Sequence, residues 1–340
     1  MLPDKKELAN ALKQLGNFMQ NPSDAFEAVI YNAQNHNAWF TAAEIRKALK
    51  ALSEMLNPHD LDTWFNQIEM SSKPKNIGLI LAGNIPLVGF HDVLCVLATG
   101  NIAQIKMSSS DNKLLPALLE ELSTYLPAIS DHYQFVERLS NFDAVIATGS
   151  NNTSRYFEYY FGKVPHIIRK NRNSIAILDG NESEQDMNQL ANDIFDYFGM
   201  GCRSISKIYI PQHYNIEKFF KPLENHKSII DHFKYNNNYD YNKSIYLVNG
   251  VKHFDNGFLL LKEDKQFSSP LSVLYYEEYD SVQNLTSTLQ EKEAEIQCIE
   301  SNLALNVGKE VLPFGQSQHP KLWDYPDNVD TVDWLNRLIG

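Results

Sequence analysis

The chain has 340 residues, 43% of them hydrophobic and 21% charged, so it is long enough for two domains and apolar enough to bury a core without staples. Thirty Lys and Arg against 42 Asp and Glu give a formal charge of −12, which argues against nucleic-acid partners and anionic membrane surfaces. Three widely spaced cysteines (Cys95, Cys202, Cys298) make neither a disulfide framework nor a zinc site, and they point to a reducing compartment. The start, MLPDKKELANALKQLGNF, has no unbroken apolar core and no cleavage motif, so a cytoplasmic location is expected. Residues 77–105 are apolar but carry His91-Asp92 and are punctuated by Gly83, Asn84, Pro86 and Gly100. That pattern predicts a buried strand–helix–strand rather than a membrane span.

In chain order, apolar residues at helical spacing predict helices over Lys5–Met19, Ala25–Tyr31 and Thr41–Met55, and another from Leu61. After Lys73-Pro74 the character changes. Ile77–Ala82 reads as a strand, Leu87–Ala98 as a helix and Ile102–Met107 as a second strand, which makes a βαβ unit with a parallel sheet. Leu114–Leu126 is a predicted helix, Ala144–Thr148 a strand, Asn151–Phe161 a helix and Ile175–Leu178 a strand. Glu184–Phe198 follows as an amphipathic helix, and Lys207–Ile210 as a strand. This alternation predicts an α/β fold of the doubly wound kind. Tyr235–Lys243 is polar and Asn/Tyr-rich and reads as a surface loop. Gly257–Leu261 and Leu271–Tyr276 read as strands, and Thr286–Asn302 as a charged helix.

The chain contains no P-loop, no HExxH, no GxSxG and no EF-hand loop. Gly199-Met-Gly201 follows a helix and lacks a third glycine, so it fails as a dinucleotide fingerprint. Two residues carry chemistry. Cys202 follows Gly199 and Gly201 where a helix gives way to a strand, beside Arg203, which can support a thiolate; its bland reading is a small residue packed in a loop. Asn84 follows an apolar strand at the end where α/β sheets bind ligands, and its amide can donate to an oxyanion; its bland reading is a turn cap. His91 and His166 read as structural histidines.

Five segments, in order, resemble the aldehyde dehydrogenase superfamily, and within it the acyl-CoA reductase branch that includes the fatty acyl-CoA reductase of bacterial luminescence. They are Leu81-Ala-Gly-Asn-Ile-Pro, Leu97–Ser109 (LATGNIAQIKMSS), Ala147-Thr-Gly-Ser, Gly201-Cys-Arg and the run from Pro313-Phe-Gly to Pro320. The resemblance implies an aldehyde-dehydrogenase-like fold: a Rossmann-type cofactor domain with a helical N-terminal region over residues 1–172, an α/β thiol domain over 173–325 and a tail over 326–340. It implies Cys202 as an acylated nucleophile and Asn84 as an oxyanion donor together with the Cys202 N–H. Lys106 is implied at the adenosine ribose, Ser108 and Ser109 as ribose or phosphate partners, and Gly149 and Ser150 at the pyrophosphate side. The cofactor implied is NADPH, with NADH as the variant, and no metal. The substrate implied is an acyl-CoA or acyl-carrier thioester, with an acyl-supplying partner protein and a homo-oligomer among the expected partners.

Two departures bear on the reaction. Where hydrolytic relatives carry a Glu-Leu-Gly-Gly segment, this chain has Ile168-Arg-Lys-Asn-Arg-Asn, without a carboxylate to activate water. The segment that grips the nicotinamide ribose is represented only by Gln266-Phe-Ser-Ser-Pro270. Three other readings stay open: a dehydrogenase-like scaffold that binds nucleotide or a partner without turnover, an NAD-dependent aldehyde dehydrogenase making acid, and an unrelated nucleotide-binding protein in which Cys202 is structural.

Overall fold

The computed structural model describes residues 4–149 and 151–338. It divides into two compact units. One runs to Asn171 and takes up the chain again from His319; the other is Arg172–Gln318.

Unit 1 opens with four helices: α1 (Lys5–Gln20), α2 (Asp24–His36), α3 (Ala42–Met55) and α4 (Pro58–Gln67). Each starts at a side chain that accepts a backbone N–H of the first turn, namely Asp4, Ser23, Thr41 and Asn57. Their apolar stripes bury Leu8, Leu12, Leu15, Ile30, Ile45 and Trp64. The sheet follows. β1 (Asn76–Ile80) leads through α5 (Phe90–Ala98) to β2 (Ile102–Lys106), then through α6 (Leu114–Tyr125) to β3 (Tyr133–Phe135). β4 (Ala144–Thr148) leads through α7 (Asn151–Phe161) to β5 (His166–Arg169). The five strands are parallel in the order β3-β2-β1-β4-β5. The order reverses between β1 and β4, so the switch point of the doubly wound sheet lies at their carboxyl ends. Every residue of α5 is buried, as its continuous apolar run requires.

Residues 319–325, expected in the thiol domain, and the segment from 326, expected as a tail, both belong to unit 1. Leu322, Val332 and Leu335 lie in the core of unit 1, because burying three large apolar side chains outweighs leaving the segment in solvent.

Unit 2 holds β6 (Asn173–Ile177), α8 (Glu184–Phe195), β7 (Ile205–Pro211), α9 (Ile216–Leu223) and α10 (Phe233–Val248). β8 (Phe254–Asp255), β9 (Leu260–Glu263), β10 (Val273–Tyr279), α11 (Val282–Glu291), β11 (Ile296–Ser301) and β12 (Val311–Leu312) complete it. The seven strands run β12-β11-β6-β7-β10-β9-β8, parallel except for the β8–β9 pair.

Three expectations are corrected here. Tyr235–Lys243 is helix, not loop: Tyr235, Tyr239, Asn242 and Tyr246 form its buried face. Their polar ends are satisfied inside, with Tyr235 Oη on Phe258 O at 3.0 Å and Asn242 Nδ2 on Leu271 O at 2.9 Å, so a polar composition conceals an amphipathic helix. Thr286–Asn302 is not one helix: α11 ends at Glu291 and β11 begins at Ile296 with every residue buried, which places Cys298 inside the sheet. The helix read to Phe198 stops at Phe195. Tyr197 (φ 54°), Phe198 (φ 58°) and Gly199 (φ 76°) are left-handed in succession. The Phe198 ring packs on His232 at 4.4 Å between centroids, and this aromatic contact offsets the backbone strain.

Candidate functional site

On unit 1 the residues singled out from the sequence gather at the carboxyl ends of β1, β2 and β4. Asn84 stands exposed on the turn after β1. That turn is packed tightly against the one after β2. A Cβ on Gly83 would lie 2.6 Å from Ser108 Oγ and 2.7 Å from Ser108 Cβ, so only glycine fits. Leu81 N–H donates to Lys106 O at 3.1 Å, which extends the β1–β2 pairing past the strand end. Leu87, with φ 59°, is held left-handed by its N–H donating to Asp111 Oδ2 at 2.8 Å. Asp111 is buried, and burial pushes its carboxyl up to about 6 against the two backbone N–H groups of Leu87 and Leu114. The sequence reading passed over Asp111, whose one signal was an acidic residue in a Ser-rich turn before a helix.

Lys106 ends β2 half-buried, and Ser109 is exposed beside it. Ser108 is engaged internally, its Oγ accepting from Ser110 N–H at 3.2 Å. Gly149 follows β4 directly, ahead of α7. A Cβ there would come 2.8 Å from the Phe157 ring and 3.1 Å from Thr153 Cβ, so the glycine allows α7 to approach the strand. Ser150 lies outside the described residues. A helix N-terminus at the switch point, an amine at the end of β2 and a neighbouring hydroxyl form a donor set that suits the phosphates and ribose of a dinucleotide. His91 takes a structural part: buried, with Nε2 on Leu322 O at 2.8 Å.

On unit 2, Cys202 is exposed on the loop between α8 and β7. The loop is held from both sides. Gly201 N–H donates to Ser204 Oγ at 3.1 Å, Ser204 N–H to Gly201 O at 3.0 Å, and Ser174 Oγ to Cys202 O at 2.9 Å. The same Ser174 Oγ accepts from Cys298 N–H at 3.1 Å, so one hydroxyl joins the Cys202 loop, β6 and β11. Ser174 could not be recognised from the sequence, because its partners come from segments 28 and 124 residues away. Arg203, expected to support a thiolate at Cys202, places Nη1 3.2 Å from Cys298 Sγ and 3.4 Å from Ser317 O. An exposed thiol on a glycine-flanked loop with fixed backbone can attack a carbonyl carbon. Gln266 is exposed, while Phe267 next to it is buried and its carbonyl accepts from Ser206 Oγ at 2.8 Å. No helix among the described residues is long and apolar enough to cross a membrane, and none of their His, Cys, Asp and Glu groups could hold a metal ion.

Residues 5–233 match the acyl-CoA reductase (LuxC) family model. The chain is 27% identical over 237 residues to the long-chain acyl-protein thioester reductase of Aliivibrio fischeri, an alignment covering 61% of this chain and 47% of that protein. The chain thus spans about half the length of the curated relative it matches. Among solved structures, aldehyde dehydrogenase 21 from Physcomitrella patens superposes with a TM-score of 0.63 at 11% identity, over 88% of this chain and 74% of that one. The aldehyde dehydrogenase KauB from Pseudomonas aeruginosa gives 0.58 at 12% identity, over 87% and 72%. The fold is that of the aldehyde dehydrogenases.

Proposed function

Because the chain belongs to the acyl-CoA reductase (LuxC) family, we propose that it reduces a long-chain acyl thioester, carried on CoA or on a carrier protein, to the aldehyde through an acyl-enzyme on Cys202. The observation that carries this reading is the exposed thiol on a backbone-clamped loop within the family's fold.

In this reading unit 2 carries the thiol and unit 1 the cofactor. Cys202 Sγ, as thiolate, attacks the thioester carbon. Asn84 and the Cys202 N–H donate to the oxyanion, a class of contact worth about 3–4 kcal/mol per donor. The bond to the CoA or carrier sulfur breaks, that sulfur leaves as a thiolate and takes a proton from solvent, and the acyl group remains on Cys202. A nicotinamide dinucleotide, NADPH in the first instance, supplies the hydride. Lys106 and Ser109 would hold its ribose, with Gly149 and the α7 N-terminus at the phosphates. Once the acyl carbon is reduced, the C–Sγ bond breaks, the aldehyde departs and Cys202 is again a thiolate. The segment where hydrolytic relatives carry a water-activating carboxylate reads Ile168-Arg-Lys-Asn-Arg-Asn here, without one, and this supports thiol release over acid formation.

The test is incubation with a long-chain acyl-CoA without reductant, followed by peptide mass analysis. An acyl mass on the Cys202 peptide, absent in Cys202→Ala, and NADPH oxidation that depends on acyl-CoA are expected. No adduct, or an adduct that survives the substitution, would sink the reading.

A further inference from the structure

Unit 2 contains two fully buried carboxyl groups that the proposed chemistry does not use. Asp193, near the end of α8, is 1% exposed, and Glu300, in β11, is 0% exposed. Both reach the same residue. Ser317 donates its hydroxyl to Asp193 Oδ1 at 2.7 Å and its backbone N–H to Glu300 Oε1 at 2.9 Å. Gly315 N–H donates to Asp193 Oδ2 at 2.5 Å. Glu300 Oε2 is buried and finds no N–H or O–H donor. Ser317 holds the two buried carboxyls next to each other, and burial raises both above the ordinary carboxylate range, which favours one proton retained between them. Burial and then the Asp193 charge push Glu300 well above the ordinary carboxylate range, which assigns the proton to Glu300. Asp196, just beyond α8, and Cys298, in β11, are the titratable groups facing the pair, and both favour retaining the proton. The nucleophile loop contributes Arg203, whose Nη1 is on Cys298 Sγ and Ser317 O.

Ser317 and Gln318 in turn hold the loop on either side of the thiol. Ser317 O accepts from Arg203 at 3.4 Å, and Gln318 Nε2 donates to Ser204 Oγ at 3.3 Å. Ser204 Oγ itself accepts the Gly201 N–H at 3.1 Å. An unbroken set of hydrogen bonds therefore runs from the acid pair to the residues flanking Cys202.

We propose that Asp193 and Glu300 are positioning residues for Cys202: sharing one proton they clamp Ser317, and through Ser317 and Gln318 they keep the nucleophile loop in its reactive geometry. This rests on the reading of Cys202 as the nucleophile. Removing the shared proton sets two negative charges against each other in a buried site. Ser317, which bonds to both, is displaced first, and the loop follows. Glutamine at 300 imitates the protonated acid, since its carbonyl accepts from Ser317 N–H and its amide donates to Asp193.

The experiment follows two rates from neutral to alkaline pH in wild type, E300Q, E300A and C202A. One is alkylation of Cys202 by iodoacetamide, read by peptide mass; the other is NADPH oxidation with a long-chain acyl-CoA. At neutral pH E300Q is expected to match wild type. E300A is expected to lose about tenfold to a hundredfold in kcat with KM for NADPH unchanged. At alkaline pH the wild type is expected to lose turnover reversibly and to depart from a single-thiol alkylation curve, while E300Q does neither. Coincident alkaline profiles of wild type and E300Q in both rates would overturn the proposal, as would wild-type kcat in folded E300A. If E300A does not fold, the E300Q comparison decides alone. Turnover that survives C202A overturns the nucleophile reading itself, and that outcome is distinct from an inactive C202A alongside an E300Q indistinguishable from wild type.

Discussion

Arg169 and Asp92 meet through two hydrogen bonds, Nε to Oδ2 at 3.1 Å and Nη2 to Oδ1 at 2.6 Å, with side chains 4% and 6% exposed. The same guanidinium reaches Thr331 Oγ1 at 2.9 Å and Pro326 O at 2.8 Å, so it joins the end of β5, the first turn of α5 and the returning C-terminal segment. Removing one partner of such a buried pair leaves the other charge uncompensated. Arg169→Met is therefore expected to destabilise unit 1 by about 3–5 kcal/mol. Arg169→Lys is expected to recover little, because an ammonium cannot reproduce the planar fork. Urea unfolding measures both, and a near-wild-type midpoint for Arg169→Met would contradict the account.

Asn84→Ala tests the oxyanion assignment. The side chain is exposed and its turn is held by backbone contacts and by Asp111, so folding is expected to survive. A fall of about a hundredfold to a thousandfold in kcat with little change in KM is the expected result. A change confined to KM would instead mark Asn84 as a binding residue.

Asp111 makes stability depend on pH. Its folded carboxyl is raised to about 6 by burial, so the folded state holds the proton more tightly than the unfolded chain. Its contribution to stability is therefore greatest at acid pH and declines as pH rises from the ordinary aspartate range through about 6. The decline is on the order of 3 kcal/mol. Asp111→Asn keeps an acceptor for Leu87 N–H but does not titrate. Denaturant unfolding of both proteins across this range should show a flatter dependence in the variant, and parallel curves would refute the assignment.

Lys207 and Glu277 predict an asymmetry. Lys207 Nζ lies 2.6 Å from Glu277 Oε2, and the lysine side chain is 0% exposed against 34% for the glutamate. Burial lowers the lysine pKa, and Glu277 opposes that shift. The Tyr209 and Phe267 rings lie 4.7 Å and 5.4 Å from the ammonium. Glu277→Leu strands a buried cation, at a cost of about 3–5 kcal/mol. Lys207→Met leaves a carboxylate that water can reach, so it should cost less. Equal melting shifts for the two variants would overturn this.

Much of unit 1 was legible. The continuous apolar run Ile77–Ala82 and the apolar run Ile102–Met107 read as strands of a buried sheet, and the turn at Gly83-Asn84 between them marked a ligand-binding end. The glycines around Cys202 marked the loop that bears the thiol. Unit 2 was harder. In α10 the buried face is made of tyrosines and an asparagine, so hydrophobic periodicity barely registers. In β11 a buried Glu300 reads as a surface charge until its neighbour Asp193 is known.

The sequence by itself determined the α/β alternation and the βαβ unit that opens the first sheet, because these follow from local patterns of apolar, glycine and turn residues. Tertiary structure alone decided what fixes those residues in place. Asp111 on the Asn84 turn, Ser174 beside the Cys202 loop, and Ser317 between Asp193 and Glu300 all make contacts between distant segments. A buried polar group takes its meaning from its partners, and chain order does not name them.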